Sequence, residues 1–341
     1  MRHALLDRIS CPTCGNALTL QEVKRLEEER ILEGVLYCPS CQQPYCIQNG
    51  MPHLLPKYLT TPQTQEMEGW VNLWQELGMY DRPTLEDSFR LPYVGGIWTD
   101  VARMFDMSLQ EMNLTGKEVI LEIGAGQGWA SRYFAEKGCE VIAIDIVADE
   151  WYGLGRSWAI MNNAGVYFEP VLAEGEHLPF FSNQFDVVFL CGALHHFNSF
   201  DPVLAQIYRV LKPGGRFIAA GEPSIFFCNK EHEIQSTLKE TRVGITERRP
   251  KVAEYWQSTH RAGFECISID TFETWHTSSS EVKAWVKAIR HNAFREVRTR
   301  YKPSVWLLFS LTLMMPARWR SSLALYLNGG NLLIRALKPI Q

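Results

Sequence analysis

Unbroken apolar runs alternate with helix-like segments in the middle of the chain, and this pattern constrains the fold more than any other feature. The runs are EVILEI from residue 118, EVIAID from 140, FDVVFL from 185 and RFIAAG from 216. Segments of helical composition, such as WASRYFAEK and PVLAQIYRVL, lie between them. Continuous apolar strands that alternate with helices are typical of a parallel sheet covered on both faces. We therefore predict a doubly wound α/β fold.

A glycine-rich stretch, VILEIGAGQGWA, places Gly124, Gly126 and Gly128 directly after the first of these strands and before a helix. Glycines at this position allow a tight turn and bring the backbone against a ligand at the carboxyl edge of the sheet. A tight strand-to-helix turn alone would also explain them. The spacing is GxGxG, with Trp129 where a dinucleotide fingerprint has its last glycine, so the sequence disfavours NAD.

Two carboxylates follow the next two predicted strands. Asp145 ends the second strand, where its carboxylate can accept hydrogen bonds from both ribose hydroxyls. Glu174 lies just past a third strand, where it can accept one from an adenine amino group. Together with the glycine loop, these carboxylates predict an adenosine pocket without a pyrophosphate-binding element.

Five motifs occur in order along this region: LEIGAGQG, AID, EGEHLPF, FDVVFLCGALHHF and RVLKPGGRF. They resemble the motifs of class I S-adenosylmethionine-dependent methyltransferases, specifically the type-11 group that includes ubiquinone and menaquinone methylases. The resemblance covers about residues 115–275. Glu174 departs from it, because the family usually has Asp there, but the longer side chain should still reach the adenine.

The resemblance implies S-adenosylmethionine as cofactor, with the glycine loop at its amino-acid end, Asp145 at the ribose and the segment from Cys191 to His195 beneath the methyl group. It also implies that Glu174 and Leu178 frame the adenine. The cofactor-binding residues expected on this basis are Glu122, Gly124, Gly126, Gly128, Asp145, Glu174, Leu178 and Cys191.

The acceptor side is expected at CGALHHF, where His195 and His196 offer a base with an ordinary pKa of ~6.5. The alternative is that these histidines only orient the loop, because proximity alone can supply much of the rate of methyl transfer. The segment lacks the Asn/Asp-Pro-Pro-aromatic loop of many nitrogen methylases, which disfavours an exocyclic amine as acceptor. Glu222, in AAGEPS, is expected to contact the substrate or to be a solvated loop carboxylate.

The end of the chain is predicted to complete the sheet. GFECISID suits a sixth strand, and GGNLLIRALKP at 329–339 looks like the seventh strand that closes the fold of this family. The resemblance implies that this strand is inserted antiparallel in a seven-stranded, mostly parallel sheet. Residues 276–327 would then be a helical insertion rich in Lys and Arg. It could contact a membrane surface through 280–320 or form a lid over an apolar acceptor. The alternative is a helical cap packed on the fold with its charges in solvent.

Paired cysteines mark the start of the chain: CPTCG and CPSC contain Cys11, Cys14, Cys38 and Cys41. Four thiolates from two CxxC units suit a closed, tetrahedral structural zinc site. Four reduced thiols are the alternative. Residues 4–57 resemble a small zinc-ribbon family whose eukaryotic members bind and activate RNA and protein methyltransferases.

We therefore expect a zinc ribbon over 1–57, a linker with a helical N-terminal extension over 58–114, and a methyltransferase domain over 115–341. Pro52, Pro56 and Pro62 mark the passage from the ribbon to the linker, and a helical pattern begins at Met67.

The leading functional interpretation is methyl transfer to oxygen or carbon of a hydrophobic small molecule or lipid-linked acceptor. The net charge of −4 disfavours a general nucleic-acid binder, although an RNA methyltransferase that docks RNA on the ribbon and the basic insertion is the main alternative. A cofactor-binding activator of another methylase is a third interpretation. The start of the chain lacks a secretory signal and no apolar run suits a membrane span, so we expect a cytoplasmic or membrane-peripheral protein. The sequence indicates no obligatory protein partner.

Overall fold

The structure is a computed structural model that describes residues 1–77, 84–96, 98–225, 229–271 and 330–340. The predicted insertion at 276–327 and the predicted membrane-contact segment at 280–320 lie outside these residues.

The first part of the chain forms a small antiparallel sheet. Its strands, which pair in chain order, are β1 (Thr19–Glu27), β2 (Arg30–Cys38), β3 (Gln43–Gln48) and β4 (Met51–Pro52). The two CxxC units lie next to this sheet, because one precedes β1 and the other connects β2 to β3.

The central sheet contains the remaining strands: β5 (Val119–Ile123), β6 (Glu140–Asp145), β7 (Glu169–Leu172), β8 (Phe185–Cys191), β9 (Leu211–Ser224), β10 (Glu265–Asp270) and β11 (Gly330–Leu337). Their spatial order is β10-β11-β9-β8-β5-β6-β7. The pairs from β7 across to β9 are parallel, whereas β11 lies antiparallel between β9 and β10. The predicted seven-stranded, mostly parallel sheet with an antiparallel last strand is therefore confirmed.

Helices connect and cover these strands: α1 (Thr61–Glu76), α2 (Leu85–Arg90), α3 (Trp98–Met112), α4 (Trp129–Glu136), α5 (Ser157–Ala164), α6 (Phe200–Val210), α7 (Glu231–Gln235), α8 (Lys239–Arg242) and α9 (Val252–Arg261). Successive residues of β5 point to opposite faces, as a strand requires. Leu121 packs into the apolar cluster that contains side chains of α6 and α9, and Ile120 packs into the cluster of α3 and α4. The sheet is thus covered on both faces, as predicted.

The small N-terminal sheet is joined to the edge of the central sheet. Leu54 N donates to Leu172 O of β7 over 2.8 Å, and Ser10 N donates to Pro179 O over 2.9 Å. Buried side chains of the small sheet, among them Ile31 and Leu36, belong to the same apolar cluster as Leu121. The two sheets therefore share one core.

Candidate active site

A cavity of about 370 Å³ opens at the carboxyl ends of β5, β6 and β8. Its wall consists of the glycine loop after β5, the end of β6, the segment after β8 and side chains from α1. Ligands of open α/β sheets bind at this edge. Of the predicted site residues, the structure brings six to the wall: Gly124, Gly126, Asp145, Glu174, Cys191 and His196.

The glycine loop is shaped by backbone conformations and contacts that exclude a side chain. Gly124 has a φ of +72°, and a Cβ there would lie 2.6 Å from Cβ of Ala193 in the segment after β8. Gly128 has a φ of +82°, and a Cβ there would lie 2.6 Å from Cζ of Phe168. Gly128 does not line the cavity but allows α4 to begin close to the sheet. Glycine is required at both positions for the loop to hold this shape.

Gly128→Ala is expected to lower the free energy of unfolding by about 1–3 kcal/mol, because it adds a steric contact to an unfavourable φ. Gly165→Ala is the matched control: its φ is +66°, but a Cβ there meets nothing within 4 Å. Urea denaturation followed by tryptophan fluorescence would measure both variants. Equal losses would show that the Phe168 contact does not matter.

Asp145 connects the glycine loop to the segment after β6. Its Oδ2 accepts from Gly126 N over 2.7 Å and its Oδ1 accepts from Val147 N over 2.8 Å. Burial raises the pKa of the Asp145 carboxyl, and the backbone N–H donors oppose that shift. The carboxylate thus stands at the cavity wall with its orientation fixed.

The other predicted cofactor residues have different surroundings. Glu174 accepts from Glu176 N over 2.7 Å and lies 2.8 Å from Nδ1 of His177, so its carboxylate caps a short 3-10 turn. Glu122 lies beneath the loop, accepts from the Ser131 hydroxyl and does not reach the cavity wall; burial raises its pKa to about 8. Leu178 lies in the core and is likewise not part of the wall.

Glu222 is fully buried and holds the segment after β8. Its carboxylate accepts from the backbone N–H groups of Ala193, Leu194 and His195, each over 3.0 Å, and it lies 2.9 Å from Nδ1 of His195. The expectation of a substrate contact or a solvated loop carboxylate is therefore wrong. The reason is that β9 extends to Ser224 and pairs with β11 there, so Glu222 lies inside the sheet.

His195 is buried between two carboxylates and does not line the cavity. Its Nε2 lies 3.4 Å from Glu247, opposite the contact with Glu222. Burial alone would lower the pKa of His195, but the hydrogen bonds to Glu222 and Glu247 outweigh it and raise the pKa to about 9. The ring is thus an imidazolium at neutral pH, which disfavours a role as base.

His196 does line the cavity. Its Nδ1 lies 2.6 Å from Thr246 O, and because a carbonyl only accepts, Nδ1 carries the proton. Burial, together with the neighbouring His195 charge, lowers the pKa of His196 to about 4. The neutral ring therefore has its lone pair on Nε2, which has no hydrogen-bond partner in the described part of the chain.

Sequence analysis missed Glu66, a buried carboxylate of α1 that lines the cavity. Its Oε1 lies 3.4 Å from Nδ1 of His196, and its Oε2 accepts from Thr246 N over 2.6 Å. Burial raises the pKa of Glu66 to about 7. Only its place on the same helical face as Trp70 could have indicated it, because its partners are distant in sequence.

The two histidines and Glu247 have ligand atoms within 4.8 Å of one another, a spacing that also occurs in metal sites. However, Nδ1 of His195 faces Glu222 and Nδ1 of His196 donates to a carbonyl. His196 thus lacks a lone pair on the side of the cluster. The geometry therefore favours a hydrogen-bonded cluster of these side chains over a metal site.

The four paired cysteines do form a cluster with metal-site geometry. Sγ of Cys11 lies 3.5 Å from Sγ of Cys41, and Sγ of Cys14 lies 3.4 Å from Sγ of Cys38. All four sulfur atoms lie within 4.8 Å of one another. Sulfur ligands at ~2.3 Å from a tetrahedral zinc ion have similar separations, so the four side chains fit the ion.

Part of the cavity wall is aromatic. Trp74 stacks on Tyr152 with centroids 4.5 Å apart, and the indole of Trp70 meets His196 edge-on at 5.2 Å. Trp98 and Trp129 add further rings. Among the described residues that line the cavity, none is Lys or Arg.

Comparison with known proteins gives the class to which this fold and site correspond. Residues 121–219 match the family model described as a methyltransferase domain. That segment runs from β5 into β9 and contains the glycine loop. The match shows a methyltransferase domain over residues 121–219, in agreement with the predicted doubly wound fold.

Among curated proteins, the chain is 36% identical over 96 residues to malonyl-[acyl-carrier protein] O-methyltransferase of Enterobacter lignolyticus, which is 28% of this chain and 36% of that protein. It is 31% identical over 137 residues to the ubiquinone/menaquinone biosynthesis C-methyltransferase UbiE of Brucella canis. This match covers 35% of this chain and 51% of that protein. The chain thus spans no more than about half the length of these relatives.

Among solved structures, phosphoethanolamine N-methyltransferase 2 of Haemonchus contortus, in complex with S-adenosyl-L-methionine, superimposes with a TM-score of 0.50 at 16% identity. The match covers 84% of this chain and 62% of that one. It supports the fold alone. No helix among the described residues combines the length and the apolar composition that crossing a membrane requires.

Proposed function

We propose that this chain transfers a methyl group from S-adenosylmethionine to oxygen or carbon of a neutral, hydrophobic acceptor. The observation that carries the acceptor class is the aromatic wall of the cavity, together with the lack of Lys or Arg among its described residues. A phosphate or carboxylate buried there would lack a charged partner, which is costly. By their names, the two curated relatives are an O-methyltransferase and a C-methyltransferase, which supports oxygen or carbon as the methylated atom but not the neutrality of the acceptor.

The described residues fit the cofactor in their shapes and their hydrogen-bonding groups. At Gly126 a Cβ would meet no atom closer than 3.8 Å, so the backbone there is open to a ligand. Asp145 presents an oriented carboxylate for ribose hydroxyls, and Cys191 lies on the wall after β8. Glu174 also lines the cavity, and we propose that it accepts from the adenine amino group. When bound, the cofactor supplies a methyl group on a positively charged sulfur.

We also propose that Cys11, Cys14, Cys38 and Cys41 hold a structural zinc ion. Four thiolates fill a tetrahedral shell and leave no position for a substrate or water, which distinguishes a structural from a catalytic zinc site. The ion would fix the loop between β2 and β3 against the segment before β1. This role is one of folding and does not enter the methyl chemistry.

The RNA methyltransferase alternative gains no support from the described cavity, because an RNA backbone requires cationic side chains near the site. Transfer of labelled methyl from S-adenosylmethionine to a fractionated cell extract separates the two functions. The proposal predicts that label appears in the organic-solvent extract. Label in the RNA fraction would overturn the acceptor class.

A further inference from the structure

Glu66 belongs to α1, outside the segment that matches the methyltransferase family, yet it is fixed beside His196. Trp70 Nε1 donates to Oε1 over 3.0 Å and Thr246 N donates to Oε2 over 2.6 Å. With both oxygens held, Oε1 stays 3.4 Å from Nδ1 of His196. The carboxylate is therefore positioned against one nitrogen of the ring that lines the cavity.

The two nitrogens of His196 have different roles in this arrangement. The N–H at Nδ1 faces Thr246 O and the Glu66 carboxylate, which leaves the lone pair of Nε2 to accept a proton. A carboxylate next to the N–H of an imidazole holds the tautomer and stabilises the imidazolium that forms when the other nitrogen is protonated. Glu66 and His196 have this relative placement.

We propose that Glu66 is the positioning carboxylate of a His196 base that removes the acceptor's proton during methyl transfer. This inference rests on the proposed function. As the acceptor atom bonds to the methyl carbon, the carbon–sulfur bond breaks and its electron pair remains on the sulfur of the departing S-adenosylhomocysteine. The proton of the acceptor's O–H or C–H moves to Nε2 of His196. Glu66 stabilises the resulting imidazolium until that proton passes to water.

The pair is expected to depend on pH because Glu66 titrates near neutrality. Burial raises the pKa of Glu66 to about 7, so its carboxylate is ionised above that pH and protonated below it. Only the ionised form stabilises the imidazolium, and the rate should therefore rise as pH increases through about 7. The other charged or titratable groups around the pair are His195, Glu222, Glu247, Arg249 and Glu176.

Among the described residues, no Lys or Arg pairs with Glu66. His195 is an imidazolium between Glu222 and Glu247, and Arg249 pairs with Glu247 over 2.8 Å. Glu66 instead has neutral donors from Trp70 and Thr246. A transient positive charge on His196 is therefore the charge that this carboxylate can compensate.

Glu66→Gln in the full chain tests the inference, with Glu68→Gln as the matched control because Glu68 is exposed on the same helix. The assay uses labelled S-adenosylmethionine and the organic extract of cells as the acceptor source. Glu66→Gln should lower kcat by about 100-fold, in the range of general-base contributions, and should abolish the rise in rate near pH 7. Its affinity for S-adenosylhomocysteine should match that of wild type, and Glu68→Gln should behave as wild type throughout.

Glu66→Asp provides a second variant that keeps an ionisable group at this position. It should retain a rise in rate with pH while losing part of the rate, because the shorter side chain moves the carboxylate away from Nδ1. The inference is overturned if Glu66→Gln keeps both the rate and the pH dependence of wild type.

Nuclear magnetic resonance of ¹⁵N-histidine-labelled protein tests the pair without an acceptor. The ring nitrogens of His196 should show an inflection near pH 7 in wild type and none in Glu66→Gln. An inflection that persists in the variant would overturn the inference. If wild type transfers no label to any fraction, the proposed function fails, and this titration still decides whether Glu66 and His196 are coupled.

Discussion

Glu222→Gln is expected to lower the free energy of unfolding by about 3–5 kcal/mol, the usual loss when one member of a buried ion pair is removed. The carboxylate accepts from three backbone N–H groups and contacts His195. An amide has one acceptor oxygen, so at least one buried N–H loses its partner, and His195 keeps only Glu247. Urea denaturation followed by tryptophan fluorescence measures the loss.

Asp201→Asn is the matched control for this prediction. Asp201 pairs with Arg261 over 2.8 Å, but both side chains are more than half exposed, and such surface pairs contribute ~0–1 kcal/mol. A loss in Glu222→Gln no larger than that of Asp201→Asn would contradict the assignment of Glu222 as the residue that holds the segment after β8.

The same cluster should make stability depend on pH. The pKa of His195 is about 9 in the folded chain, against an ordinary value of 6.5, so protonation favours the folded state. This stabilisation is fully present below about pH 6.5 and is lost as pH rises through about 9. In Glu222→Gln the pKa of His195 is raised less, so the loss should be smaller and should be complete at a lower pH.

Cys38→Ser is expected to remove the zinc ion and to lower the melting temperature by about 10 °C or more. Cys38 ends β2 and is buried, with its Sγ next to that of Cys14. The effect should extend beyond the small sheet, because that sheet shares an apolar cluster with the central sheet. Elemental analysis and differential scanning calorimetry measure the two losses.

Cys46→Ser is the matched control for Cys38→Ser, because Cys46 lies in β3 of the same sheet with an exposed thiol outside the cluster. It should retain about one zinc per chain and the melting temperature of wild type. Wild-type protein purified without metal would contradict the zinc proposal. Equal metal content in the two variants would also contradict it.

The central sheet could be predicted because its signal is local. The strands β5, β6, β8 and β9 contain the apolar runs that a buried parallel strand needs. The antiparallel last strand followed from the family resemblance and is also present. The strands themselves depend on residues that are close in sequence, whereas the position of the last strand came from the resemblance.

The helix that covers the cavity was predicted too short. Residues before Met67 were assigned to a linker because of Pro62, whereas α1 begins at Thr61 and Pro62 occupies its first turn. Proline is favourable there, since the first N–H groups of a helix have no intrahelical partner. The capping box formed by Thr60 and Gln63 was the signal for this earlier start.

The polar cluster behind the cavity could not be derived from the sequence. Glu66, His195, Glu222 and Glu247 come from separate elements, and their contacts span from 27 to 180 residues along the chain. Spacing along the sequence carries no information about such contacts. For the same reason the sequence could not distinguish His195, a buried imidazolium, from His196, a neutral ring at the cavity wall.

The most direct test of the account is calorimetric titration of S-adenosylhomocysteine into wild type, Asp145→Ala and the surface variant Asp201→Ala. We expect wild type and Asp201→Ala to bind one molecule per chain with equal affinity. Asp145→Ala should bind at least about 100-fold more weakly, because it loses charged hydrogen bonds to the ligand and to the glycine loop. Failure of wild type to bind, or equal affinity in Asp145→Ala, would contradict the assignment of this cavity as the cofactor site.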